Sequence, residues 1–165
     1  MCIRDRGDTN ADRQDDFVLL CQDSRTIYLI LGGASGTLDV DDADSSWTLL
    51  GWIMVHKGGD LNADGYDEII VNDQDADSAA GIENAGAAWI YLGPIADGAV
   101  DETDPYASWE GEDAGGGLSV GASGFDSNGD GADEFLLHDT GHSTDAERIV
   151  PVSYTHLTLP TNREV

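Results

Sequence analysis

One short pattern occurs three times in this chain, and it limits what the chain can fold into. Gly59-Asp60-Leu61-Asn62-Ala63-Asp64-Gly65-Tyr66-Asp67-Glu68 sets oxygen-bearing side chains at loop positions 1, 3 and 5 (Asp60, Asn62, Asp64). Gly65 follows at position 6 and Glu68 at position 9, leading into the apolar Ile69-Ile70-Val71. Asp126, Asn128, Asp130, Gly131 and Glu134 repeat the pattern, and Asp8, Asn10, Asp12 and Asp16 repeat it with Arg13 in the glycine slot. Side chains at 1, 3, 5 and 9, with the backbone carbonyl at 7 (Gln14, Tyr66, Ala132), can converge on one hard cation. Ca²⁺ accepts several oxygens at about 2.3–2.6 Å in irregular geometry. Carboxylates this close repel by about 1 kcal/mol per pair at ~4 Å in water, and by more where buried. The acids therefore imply a cation, and Arg13 implies a strained backbone in a slot suited to glycine.

An EF-hand loop begins in the same way but needs a Glu at position 12 and helices on both sides. Position 12 is Leu19, Val71 or Leu137, each closing a short apolar run that reads as a buried strand. Asp-x-Asn-x-Asp-Gly-x-Asp-acid followed by such a strand resembles the calcium loop of FG-GAP repeats. Those repeats build the β-propeller of integrin α subunits and of many bacterial surface proteins. The chain departs from them after the strand, where Asn72-Asp73-Gln74 and His138-Asp139-Thr140 stand in place of Gly-Ala-Pro, and Phe-Gly is represented by Leu50-Gly51.

Internal repetition extends beyond the loops. Thr26-Ile27-Tyr28-Leu29-Ile30-Leu31-Gly32 and Ala87-Ala88-Trp89-Ile90-Tyr91-Leu92-Gly93 are alternating segments ending in Leu-Gly, and Ser46-Trp47 and Ser108-Trp109 follow them. A four-stranded unit at this period reads as a propeller blade. The expectation is an all-β chain of about two and a half four-stranded blades, spanning about 7–50, 51–111 and 112–150. The middle blade should be complete, with strands near 51–57, 68–72, 87–92 and 106–110. The first should lack its first strand, and the third should stop after its second, leaving strand edges without partners. The acid at position 8 (Asp15, Asp67, Asp133) is expected to be a surface or inter-blade hydrogen-bonding residue rather than a ligand.

Both ends carry another signal. Met1 to Arg6 back-translates to the mosaic end of a transposase-based sequencing library, and Val152 to Leu157 to its reverse complement. Residues 1–6 and 151–165 are therefore expected to be adaptor-derived. Arg6-Gly7-Asp8 is accordingly read as the start of the first loop, not as an adhesion tripeptide.

The formal charge of −26 disfavours nucleic acid and anionic membranes as partners and suits cation binding. Further acids lie in Asp39 to Asp44 and Asp97 to Asp104, read as solvated linkers. Cys21 is expected to be a buried thiol. Gly117-Leu118-Ser119-Val120-Gly121 matches a serine hydrolase elbow but occupies a strand position before a calcium loop. His138, Asp139 and His142 read as a solvated turn, and Trp47, Trp52, Trp89 and Trp109 as packing residues. No residue is placed for covalent catalysis. The resemblance implies a secreted or cell-surface bacterial module, stiffened by Ca²⁺, that contacts a protein or glycan through its loops. The other class of function is an accessory or catalytic propeller of an extracellular polysaccharide-degrading enzyme.

Overall fold

The apolar runs that follow the acidic loops become the inner strands of three antiparallel sheets. A computed structural model describes residues 2–48, 51–95, 105–139 and 148–152. The first sheet runs in chain order through β1 (Cys2–Gly7), β2 (Asp16–Cys21), β3 (Thr26–Ile30) and β4 (Ser45–Thr48). The second runs through β5 (Ile53–Gly59), β6 (Glu68–Asp73), β7 (Ala87–Tyr91) and β8 (Ala107–Glu110). The third sets β10 (Glu134–Asp139) between β9 (Ser119–Phe125) and β11 (Arg148–Val152). Every pairing is antiparallel and joins consecutive strands. Helical structure among the described residues is one 3-10 turn, Val40–Asp42, closed at its start by Asp39 and Asp42 in a reciprocal capping box. Those two acids of the linker are thus engaged in local hydrogen bonds. Among the described residues no helix is long and apolar enough to cross a membrane.

The four strands expected in the middle of the chain are present, within two residues of their expected limits. Both flanking units differ from expectation. Cys2–Gly7 supplies a first strand to the first sheet, paired with β2 from Cys2↔Cys21 to Gly7↔Asp16. Arg148–Val152 adds a strand beside β10. β2 and β10 therefore have partners on both sides, and β3 lies between β2 and β4. Pairing needs only the backbone N–H and C=O that nearly every residue carries. Cys2–Gly7, which has no apolar alternation, can therefore complete a sheet, and its composition does not reveal it.

Packing follows from the alternation of faces. In β2 and β3, Val18 lies opposite Leu29 and Leu20 opposite Ile27, and all four are buried. With Trp47 they meet Ile53, Val55, Ile69, Val71 and Tyr91 of the second sheet in one apolar cluster. The other face of the second sheet, carrying Ile70, Ala88 and Ile90, meets Leu118, Phe135 and Leu137 in a second cluster. There Trp109 sets its ring edge-on to Phe135, with centroids 5.3 Å apart. Covered on both sides, β6 is buried along its whole length. Two packing expectations fail. Trp52 precedes β5 and is 63% exposed, and Cys21, at the end of β2, is only half-buried.

A polar clasp joins successive sheets at the loop end. The backbone N–H of Asp67 donates to the Asp8 carbonyl at 2.9 Å, and Asp67 Oδ2 accepts the Asp8 N–H at 2.9 Å. One repeat later, the N–H of Asp133 donates to the Asp60 carbonyl at 2.8 Å, and Asp133 Oδ2 accepts the Asp60 N–H at 3.1 Å. At Asp67 and Asp133 position 8 thus bonds between sheets, one of the two roles expected of it, and Asp15 is exposed. Lys57 Nζ lies 3.0 Å from Asp67 Oδ2. The clasp requires a residue without a side chain just before position 1. A Cβ on Gly59, which has φ +78°, would stand 2.7 Å from Gly124 Cα and would displace the Asp133 carboxylate. At Gly65 (φ +93°) nothing lies within 4 Å of such a Cβ. Gly59→Ala is therefore expected to destabilise the protein by about 2–4 kcal/mol, strain and lost clasp together. Gly65→Ala should cost about 1–2 kcal/mol from backbone strain alone. Urea denaturation of both variants in metal-free buffer measures the difference, and equal losses would remove the clasp from the account.

Candidate metal centre

The three loops share one hydrogen-bonded fold, built from short polar side chains that turn back on their own backbone. At position 3, Oδ1 of Asn10, Asn62 and Asn128 accepts the N–H of position 5 at 3.0, 2.9 and 2.8 Å. At position 5, Oδ1 of Asp12, Asp64 and Asp130 accepts the N–H of position 7 (Gln14, Tyr66, Ala132) at 2.8, 2.9 and 3.0 Å. The position 1 carboxylate (Asp8, Asp60, Asp126) takes the N–H of position 6 at 2.8, 2.9 and 3.1 Å. Its other oxygen takes the N–H of position 5 in the first two loops and of Gly129 in the third. The chain wraps by turning left-handed at two positions: Ala11, Ala63 and Gly129 at position 4, and Arg13, Gly65 and Gly131 at position 6. Arg13, with φ +70°, adopts the conformation that its place in the glycine slot implied.

Position 9 differs in kind from the rest. Asp16, Glu68 and Glu134 are at most 3% exposed, and each is the first residue of an inner strand. Each carboxylate accepts the N–H of position 2 (Thr9, Leu61, Ser127) at 2.7 Å. The Thr9 and Ser127 hydroxyls donate to the same oxygens. The second oxygen of Asp16 takes the N–H of Gly32 at 2.8 Å, and that of Glu68 the N–H of Gly93 at 3.3 Å. This explains the repeated Leu-Gly. A Cβ at Gly32 or Gly93 would lie 2.5 Å from the Cβ of the position 7 residue, Gln14 or Tyr66. The Leu-Gly repeat was visible in the sequence, but not its contact with the loop. Positions 2 and 4, with no common side chain beyond small size in some copies, offered no signal.

Burial pushes the Glu68 carboxyl up to about 8, and the nearby Asp64 and Asp60 charges add to the rise, while the Leu61 and Gly93 N–H groups oppose it. Burial also raises Asp133 and Asp73.

The donors are all oxygens, mostly carboxylates, which suits a hard divalent ion. In the third loop one oxygen each of Asp126, Asp130 and Glu134 lies within 4.8 Å of the others. Among the described residues this is the one acidic group gathered so closely. The carboxylates of Asp8, Asp12 and Asp16, and of Asp60, Asp64 and Glu68, share the loop fold but not that closeness. In all three loops the position 3 amide nitrogen donates to the position 5 carboxylate, at 3.2, 2.8 and 3.1 Å. In the third loop it also donates to Glu134, at 2.9 Å.

Two other sequence features fall elsewhere. Ser119 opens strand β9 and is buried, with no helix after that strand, so the strand-to-helix turn of a hydrolase elbow is absent there. His138 and Asp139 belong to β10 rather than to a solvated turn, and His142 lies outside the described residues. No protein-family model matches the chain, and no curated protein matches it significantly.

Glu68 makes the metal-free protein sensitive to pH. Its folded pKa, near 8, lies above its ordinary 4.5, so between these values the folded state holds more protons than the unfolded state. Its contribution to stability is full below about pH 4.5 and is lost as pH rises through about 8. With a chelator present, Glu68→Gln should therefore flatten the fall in urea midpoint between pH 5 and about 8. An unchanged slope would assign that fall to other groups.

Proposed function

We propose that this chain is a calcium-binding module of the FG-GAP propeller type, belonging to a secreted or cell-surface bacterial protein with a structural and adhesive role. The observation that carries the reading is the common fold of the three loops, which presents hard oxygen donors in the same order each time. The three stacked four- or three-stranded sheets are consistent with successive propeller blades. A bound Ca²⁺ supplies positive charge where positions 1, 5 and 9 concentrate negative charge. The residues that would hold it are Asp8, Asn10, Asp12, Gln14 and Asp16; Asp60, Asn62, Asp64, Tyr66 and Glu68; and Asp126, Asn128, Asp130, Ala132 and Glu134. By stiffening the loops it would also stiffen the clasps, because Asp8 and Asp60 take part in both. The loops away from the metal end are then free to contact a protein or a glycan. The exposed Trp52 indole favours a glycan among these, since aromatic faces stack on sugar rings.

Calorimetric titration is expected to show Ca²⁺ at two or three sites with Kd on the order of 10⁻⁴–10⁻³ M, and weak competition by Mg²⁺. Asp64→Ala and Asp130→Ala should each remove one site. Undiminished heat in the double variant would refute the assignment of the loops.

A further inference from the structure

We propose that two copies of this chain associate head to tail, the outer face of the first sheet of one copy seating on the outer face of the third sheet of the next. The argument rests on the internal repeat and does not depend on calcium. In the second sheet, Ile69 lies opposite Tyr91 and Val71 opposite Trp89, and the first sheet covers this face. The same register in the first sheet sets Phe17 opposite Ile30 and Leu19 opposite Tyr28. Among the described residues no sheet covers them, although Ile30 is itself buried. With Leu38 and Val40 they line an open, mostly apolar groove of about 350 Å³, and Phe17, Leu38 and Val40 are each about 40% exposed.

The equivalence also identifies what covers such a face. At the internal junctions it is the opposite face of another sheet: Val18, Leu20, Ile27 and Leu29 at one, Ile70, Ala88 and Ile90 at the other. On the equivalent face of the third sheet, the described residues are a half-buried leucine and two exposed small residues. Leu136, in register with Ala122, occupies the place of Ile70 and Val18, and Gly121 and Ala122 beside it are exposed. Small residues there leave room for the Phe17 and Tyr28 rings. Each copy thus carries one face of each kind, a heterologous pair that builds chains or rings rather than closed face-to-face dimers.

Two features keep the association weak at low salt. Each copy carries a formal charge of −26, so copies repel until salt shortens the screening length from about 10 Å at 0.1 M to about 3 Å at 1 M. The polar clasp is also missing at this junction. Phe125 precedes Asp126 where Gly7 and Gly59 precede Asp8 and Asp60, so the close approach of a position 8 carboxylate is blocked.

Sedimentation velocity of the full chain, with chelator, at low salt and in 1 M NaCl tests the proposal. The expected result is monomer at low salt and a ladder of dimer and larger species at high salt. Phe17→Asp and Leu136→Asp should each abolish association, raising the half-association concentration about tenfold or more. Mixing the two variants should give dimer and nothing larger, because each retains one working face. That dimer also shows that both variants are folded. Monomer under all conditions overturns the proposal. So does a Leu136→Asp protein that still associates alone, which would mean that the first-sheet face pairs with itself.

Discussion

Everything at the loop end of this molecule depends on a buried acid at the head of each inner strand. Asp16, Glu68 and Glu134 stand where an acidic loop becomes an apolar strand, and each is withdrawn from water. A carboxylate in that position must be hydrogen-bonded, protonated or bound to a cation. Here one oxygen fastens the second residue of the loop, and in the first two sheets the other fastens the glycine that follows β3 or β7. One side chain thus fixes the loop, the start of the inner strand and the end of its neighbour. Only a residue with two acceptor oxygens can do this without leaving a donor unpaired. The cost is Glu68, where burial and the adjacent Asp64 and Asp60 oppose ionisation.

The second constraint is the clasp, which makes each loop part of two sheets. Position 1 supplies its carboxylate to its own loop, while its N–H and C=O go to position 8 of the next. The side chain faces the candidate cation and the backbone faces the neighbouring sheet. Apolar packing alone would let two flat faces slide, since it is nearly indifferent to direction. At each rim one backbone–backbone bond and one bond to the position 8 carboxylate fix the registration, and the second sheet, clasped on both sides, buries its inner strand throughout.

Much of this was readable from the sequence because loop chemistry and strand alternation repeat at long range. The oxygen positions, the strands of the middle sheet and the bonding role of Asp67 and Asp133 all follow from residue type and spacing. The sequence left unmarked what is made by backbone. Cys2–Gly7 pairs without an apolar pattern, and Arg148–Val152 pairs although it carries a proline. Thr9, Leu61 and Ser127 donate through N–H groups that any non-proline residue would offer. Trp52 was misplaced because a tryptophan beside a strand reads as core until its side chain is placed. His138 and Asp139 were misplaced because β10 runs two residues beyond its apolar core.

The three loops do not reach their common fold at equal cost. Left-handed backbone costs a residue with a Cβ about 1–2 kcal/mol, and glycine almost nothing. The first loop bears that cost twice, at Ala11 and Arg13; the second bears it once, at Ala63; the third uses Gly129 and Gly131 and bears none. The third is also the loop whose acidic oxygens are gathered within 4.8 Å. Freedom from backbone strain and convergence of acidic oxygens coincide in this loop. In the first loop, energy spent on the two strained residues must be recovered elsewhere. The Gly32 N–H bond to Asp16 and the close approach of Gly32 to Gln14 help to hold this loop, as Gly93 does for the second with Glu68 and Tyr66.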